Sequence, residues 1–263
     1  DLTGDWSSDV CSSDLERIYA VVADTETTGP DIGKDQVVES AFLSLPGTPT
    51  EFLKTPFEDM KMQHEYFGHT VPMTLGAQDT HHILPETLAG LPVMQYPPKV
   101  PPMNYIIGHN IDFDRDMLDL KGAGGICTLA LSRRYFPELD CHRQGAVLYH
   151  LARITKRGES WARDLLRNAH SADADVLNCA RILKYIIYLI DRDNKVKGQL
   201  FWGDIYQVSQ ESRIPKVMGF GKFKGQPICN VTPNWAEWYA GCTDPLPDPY
   251  VLIALKKEGL IPY

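Results

Sequence analysis

The clearest pattern in the chain is a run of apolar residues that stops abruptly at an acid. Ile18 to Ala23 (IYAVVA) is almost wholly apolar, and the segment from Arg17 to Ala23 predicts a buried central strand ending at Asp24. Val37 to Leu45 (VVESAFLSL) predicts a second strand, and the intervening TTGPDIGKD carries turn chemistry, so the two form an antiparallel hairpin. From Pro46 to Pro102 the chain is proline-rich and aperiodic, which predicts short helices and surface loops, with a helical turn around Ala77 and His81. Tyr105 to Ile107 reads as a strand and Phe113 to Leu120 as a helix. Ile126 to Pro137 reads as a strand running into a helix, and Gly145 to Thr155 as an amphipathic segment. From Ser171 to Asp191 the apolar residues Val176, Cys179, Ala180, Leu183, Ile187 and Ile190 recur at helical spacing and predict a long buried-face helix. Beyond a polar break at RDNKVKG, a helix is expected around Gly203 to Glu211, followed by a compact MGFGKFKGQPICNV segment and an aromatic run, NWAEWYAG.

Composition changes this picture in two places. The chain has 263 residues, 43% of them hydrophobic, enough for one sizeable core plus a small accessory unit. No apolar run approaches the length of a membrane span. Residues 1–15 (DLTGDWSSDVCSSDL) lack strand or helix logic, and DWSSDVCSSDL matches the translation of a sequencing adaptor; they are set aside as an artefact. Without Asp1, Asp5, Asp9 and Asp14 the formal charge moves by four, from −8 to −4. The stretch from Arg133 to Arg167 is basic, which fits either a phosphate path or an ordinary solvated helix face. The cysteines are scattered with no CxxC pair, against a structural zinc site or a disulfide framework and in keeping with a reducing, cytoplasmic compartment.

Candidate chemistry sits where apolar elements end. Asp24 and Glu26 stand at i and i+2, so a strand points both to one side of the sheet. Alone, D-x-E at a strand end is a common turn. Asp114 lies in G-H-N-x-x-F-D, where Asn110 would cap the following helix and Phe113 would anchor its turn in the core. His109 reads best as a satisfied structural histidine. His170 and Asp175 form H-x-A-x-x-D. Five residues on an ideal helix turn the side chain roughly 500°, so the two cannot share a face: His170 belongs to the loop before the helix and Asp175 to its first turns. Asp173 competes with Asp175, with helix N-terminal charge as its ordinary role. Carboxylates from three segments form an oxygen set suited to Mg²⁺ or Mn²⁺. Two such ions roughly 4 Å apart can clamp the attacking and leaving oxygens of a phosphodiester.

D-x-E-T-T-G, then G-H-N-x-x-F-D, then H-x-A-x-x-D, in that order, resembles the DEDDh family of 3′→5′ exonucleases, to which the proofreading subunit of bacterial replicative DNA polymerase belongs. ICTLALSRRYFP and GFGKFKGQPICNV extend the resemblance over nearly all of residues 17 to 240. It implies an α/β, ribonuclease-H-like fold, a mixed five-stranded sheet flanked by helices, with a small C-terminal accessory region. The exonuclease domain would span 16–195 and the accessory unit 196–263. It implies that Asp24, Glu26, Asp114 and Asp175 hold two Mg²⁺ or Mn²⁺ ions, Asp114 often through water in the family, and that His170 is the general base. Thr27, Thr28 and His81 match positions that touch the terminal nucleotide, and Asn110 and Phe113 are counted with them as substrate contacts. The implied partner is DNA with a free 3′ end, single-stranded or frayed, with no membrane. The alternatives are an exoribonuclease of the same family and a catalytically idle nucleic-acid-binding module. At the C-terminus, Phe220, Lys222, Phe223, Lys224, Trp235, Trp238 and Tyr239 fit either a single-strand stacking surface or a small core burying Phe220, Trp235 and Trp238.

Overall fold

The computed structural model describes residues 19–193 and 198–262; the expected adaptor segment 1–15 and the expected division at 195/196 lie outside them. Five strands, β1 (Ala20–Thr27), β2 (Val37–Ser44), β3 (Lys61–Tyr66), β4 (Tyr105–Gly108) and β5 (Gly124–Cys127), form one sheet in the order β3-β2-β1-β4-β5. β2 runs antiparallel to β1 and β3, while β4 is parallel to both β1 and β5. The helices are α1 (Pro49–Lys54), α2 (Leu75–His81), α3 (Asp112–Met117), α4 (Thr128–Tyr135), α5 (Gln144–Ile154), α6 (Glu159–Leu165), α7 (Ala172–Asp193), α8 (Trp202–Arg213), α9 (Pro233–Ala240) and α10 (Pro249–Lys257). This is the mixed five-stranded, ribonuclease-H-like sheet flanked by helices that was expected.

β1 is central because both of its faces are covered, which is why Ala20 to Ala23 are all buried and read as a continuous apolar run. Ala20 and Val22 join Leu43, Ile107 and the buried stripe of α7 (Val176, Ala180, Leu183, Ile187) on one side. Val21 and Ala23 join Phe42, Ile106 and Ile111 on the other. Fully burying each of the valines, leucines, isoleucines and the phenylalanine among them is worth roughly 1.5–3 kcal/mol. α7 lies across β1 and β2 with its N-terminus at the end of β1 where the acids sit.

β3 departs from the expected loops and short helices. Its sequence, KMQHEY, is mostly exposed, so it carries no apolar alternation. It is an edge strand, and such charge on an edge discourages further pairing. The opposite edge is closed differently: Ser209 Oγ accepts from the Cys127 N–H at 2.8 Å, and Gln210 Nε2 donates to the Gly125 carbonyl at 2.8 Å, so α8 satisfies β5 where another strand would.

α8 therefore belongs to the sheet-bearing body. Leu200, Trp202 and Ile205 sit in the large core, and Trp202 Nε1 donates to the Pro46 carbonyl at 3.0 Å. A separate small core gathers Met218, Phe223, Ile228, Ala236, Val251 and Leu255. A core burying Phe220, Trp235 and Trp238 is corrected: Trp238 is 63% and Phe220 39% exposed, and Phe223 is the buried ring. Trp235 stacks face to face on Tyr239 at 5.2 Å and is only partly covered.

Candidate active site

Alternation along β1 turns Asp24 and Glu26 toward α7 and Thr25 and Thr27 toward the opposite face. The first turn of α7 brings Asp175 to the same place. One carboxylate oxygen each from Asp24, Glu26 and Asp175 lies within 4.8 Å of the other two. His170 sits in the turn before α7 with a left-handed backbone (φ 68°), and its backbone N–H donates to Asp175 Oδ2 at 3.1 Å. The imidazole is exposed beside the cradle. The expected placement, histidine in the loop and aspartate in the helix, describes the geometry.

Asp114 reaches the site from α3. It is 7% exposed, and its Oδ1 accepts from the Thr25 N–H at 3.0 Å and the Thr25 hydroxyl at 2.8 Å. It is not among the three mutually close carboxylates. With one oxygen committed to β1, it offers the site its other.

Burial and crowding act together. Burial first, then the charges of Asp114, Asp175 and Glu26, raise Asp24 well above the ordinary carboxylate range. Burial, then Asp175 and Glu39, push Glu26 up to about 8. Asp114 is pushed up to about 6 by burial, against the opposing pull of the Thr25 hydrogen bonds. Burial likewise raises Asp175, opposed by the His170 N–H and its charge. None of the ion pairs among the described residues involves any of the four. Clustered carboxylates that no Lys or Arg pairs among the described residues, in an all-oxygen donor set, fit hard divalent cations.

On the other side of β1 the polar groups are already paired. Ile83 N–H donates to His81 Nδ1 at 3.0 Å, which leaves the proton on Nε2 to donate to the Thr27 carbonyl at 3.2 Å. Burial holds His81 below its usual value, in keeping with a neutral ring. A cavity of about 370 Å³ is lined here by Glu26, Thr27, Pro30, Thr74, His81 and Phe113.

Three expected roles change. Thr28 is fully buried, its hydroxyl donating to Asp35 Oδ1 at 2.8 Å and accepting from Gln36 N–H at 3.0 Å, so its side chain offers nothing to a nucleotide. The Thr27 hydroxyl is spent on the Gly29 carbonyl at 2.7 Å. A Cβ at Gly29 would come within 2.6 Å of Asp35 Oδ2, so a side chain there would displace the carboxylate that Thr28 and the Asp31 N–H hold. Asn110 does not cap α3: Ile111 occupies the cap position without a side-chain bond, and exposed Asn110 instead takes a left-handed conformation (φ 84°), one that asparagine tolerates. Fully buried Ile111 anchors that turn, and half-buried Phe113 packs against the same core as expected while also lining the cavity. His109 is structural, joined to Thr128 Oγ1 at 3.0 Å and the His142 carbonyl at 2.7 Å, with burial lowering it to about 4. Sequence reasoning missed Glu39, the cross-strand partner of Glu26 and 1% exposed. An acid inside the otherwise apolar VVESAF was the available signal.

No protein-family model and no curated protein matches the chain. Among solved structures it is similar to Exonuclease X in complex with 5′ overhanging duplex DNA, with 22% identity, 71% of this chain and 99% of that chain covered, and a TM-score of 0.49. It is also similar to E. coli Exonuclease I in complex with a dT13 oligonucleotide (17% identity, 66% of this chain and 42% of that chain, TM-score 0.49). A further similar structure is cell-death related nuclease 4 (12% identity, 65% and 64%, TM-score 0.43).

Proposed function

We propose that the chain is a divalent-metal-dependent 3′→5′ exonuclease of the DEDDh kind, hydrolysing DNA to nucleoside 5′-monophosphates. The observation that carries this reading is the convergence of Asp24, Glu26 and Asp175, from segments about 150 residues apart, onto one all-oxygen cradle with His170 at its rim. Asp24, Glu26 and Asp175 would hold Mg²⁺ or Mn²⁺, with Asp114 completing the set. When bound, such ions acidify water and neutralise charge on phosphate oxygens. The imidazole of His170 takes the proton of the attacking water, and its tether to Asp175 keeps that ring near the cradle while the exposed loop lets it move. Thr27, His81 and Phe113 wall the cavity that seats the terminal nucleotide, with Glu26 joining it to the cradle. Exposed Asn110, just before α3, is on this reading a further substrate contact.

The C-terminal unit begins, on this reading, at Ile214, where side chains start to pack into the small core, and its exposed Phe220 and Trp238 serve nucleic-acid contact.

The test is digestion of matched DNA and RNA oligonucleotides labelled at either end, in Mg²⁺ and then EDTA. DNA labelled at its 5′ end should shorten through a ladder, 3′-labelled DNA should release labelled mononucleotide first, and EDTA should stop both. Labelled mononucleotide released first from the 5′ end would reverse the direction. Cleavage of RNA alone would replace the substrate.

A further inference from the structure

β2 and β3 carry a second donor set on the same sheet face as the cradle. Glu39 lies across from Glu26 on β1 and from Tyr66 on β3, and His64, two residues before Tyr66, points the same way. Asp173, in the first turn of α7, closes the group. Each of Glu39, His64 and Asp173 offers one donor atom within 4.8 Å of the others. His64 Nε2 is 2.7 Å from Glu39 Oε1, and Nδ1 is 4.0 Å from Asp173 Oδ2. Asp173 commits its other oxygen to the Ser171 hydroxyl and the Ala174 N–H.

Glu39 is the decisive member. It is 1% exposed, and its Oε2 has no hydrogen-bond partner. A Glu39–His64 ion pair accounts for Oε1 and leaves a buried carboxylate oxygen bare, which is costly. A cation would answer the oxygen that is left bare.

We propose that Glu39, His64 and Asp173 form a separate cation site beside the carboxylate cradle, which takes a transition-metal dication, Mn²⁺ or Zn²⁺, in preference to Mg²⁺. The selectivity follows from the donors: one imidazole nitrogen with two carboxylates suits borderline metals, whereas Asp24, Glu26, Asp114 and Asp175 offer oxygen alone. Its binding chemistry does not depend on the nuclease reading.

The test uses Mn²⁺ alone as the probe on the full chain, with pulsed electron paramagnetic resonance for nitrogen coupling and equilibrium dialysis for stoichiometry. Nitrogen-coupled Mn²⁺ is expected in the unmodified protein, in Asp24→Asn and in His170→Ala, and absent in His64→Asn. His64→Asn and Asp173→Asn should each bind one Mn²⁺ fewer, with circular dichroism unchanged. Asp173 is half-exposed and its substitution spares the core, so it guards against misfolding of the other variant. Absence of nitrogen coupling, its survival in His64→Asn, or unchanged stoichiometry in both variants would leave Glu39 and His64 as a plain ion pair and overturn the proposal. Because Asp24→Asn disables the cradle, the nitrogen signal there is read whether or not the chain digests DNA.

Discussion

The two sides of β1 at its acidic end are built on opposite principles. Toward α7, Asp24, Glu26 and Asp175 crowd together with no cationic partner, and each is pushed toward protonation. Toward the cavity, His81 pairs with the Thr27 carbonyl and the Thr27 hydroxyl with the Gly29 carbonyl, and in the turn just beyond β1 Thr28 pairs with Asp35. The first side is incomplete as protein and calls for a ligand; the second is complete and serves as a rigid wall. One strand can do both because successive residues face opposite ways.

The sharpest way to break this contrast is Asp24→Asn. Mg²⁺-dependent digestion should fall to the level seen without enzyme, while the metal-free protein should become more stable to denaturant because a buried, crowded carboxyl is gone. Loss of both activity and stability would mean that the carboxylate is structural. Next comes His170→Ala, expected to slow digestion roughly 10²–10⁴-fold while calorimetric Mg²⁺ affinity holds, since only its backbone touches Asp175. Full activity in this variant would remove it from the mechanism.

pH sharpens the comparison further. Glu26 titrates at about 8 in the fold against an ordinary 4.5. Between those values the folded state keeps a proton that the unfolded chain has released, so stability falls as pH rises. For this one group the slope is roughly 1.4 kcal/mol per pH unit. Metal-free unfolding curves should therefore weaken from pH 4.5 to 8, and saturating Mg²⁺ should flatten the dependence. A metal-free protein that gains stability over that window would contradict the burial and crowding that raise Glu26. The smallest effect is expected on the satisfied side. Thr28→Val should cost about 1 kcal/mol in unfolding experiments and leave the digestion rate within about twofold; a large loss of rate at full stability would restore Thr28 as a nucleotide contact.

What was legible in the sequence follows the same division. Burial writes itself into apolar runs, so β1, β2, β4 and α7 were readable, and so were the acids that interrupt or follow them. β3 was not, because an edge strand with exposed Lys61, His64 and Glu65 has no alternation to read. With β3 went the pairing that sets His64 beside Glu39, a contact 25 residues apart that only strand register creates. Asn110 carried the chemistry of a cap but serves as a left-handed residue, a choice set by the path of the chain between β4 and α3. Two missed helices did carry signals: Thr232-Pro233 and Asp248-Pro249 both place proline just inside a helix start, and Asp248 Oδ1 accepts from Tyr250 N–H at 2.7 Å. Trp202 shows a different limit. Its neighbourhood reads as the start of an appendage, yet its ring is fully buried in the large core, so removing everything after Asp191 would open the sheet-bearing body itself.

The central claim is that the carboxylates at the end of β1 complete themselves with divalent cations. Crystals soaked in Mn²⁺ and measured for anomalous scattering address it most directly. The account expects a Mn²⁺ peak bonded to Asp24, Glu26 and Asp175. Density with no peak there, and those carboxylates turned apart or paired with a protein cation, would contradict it.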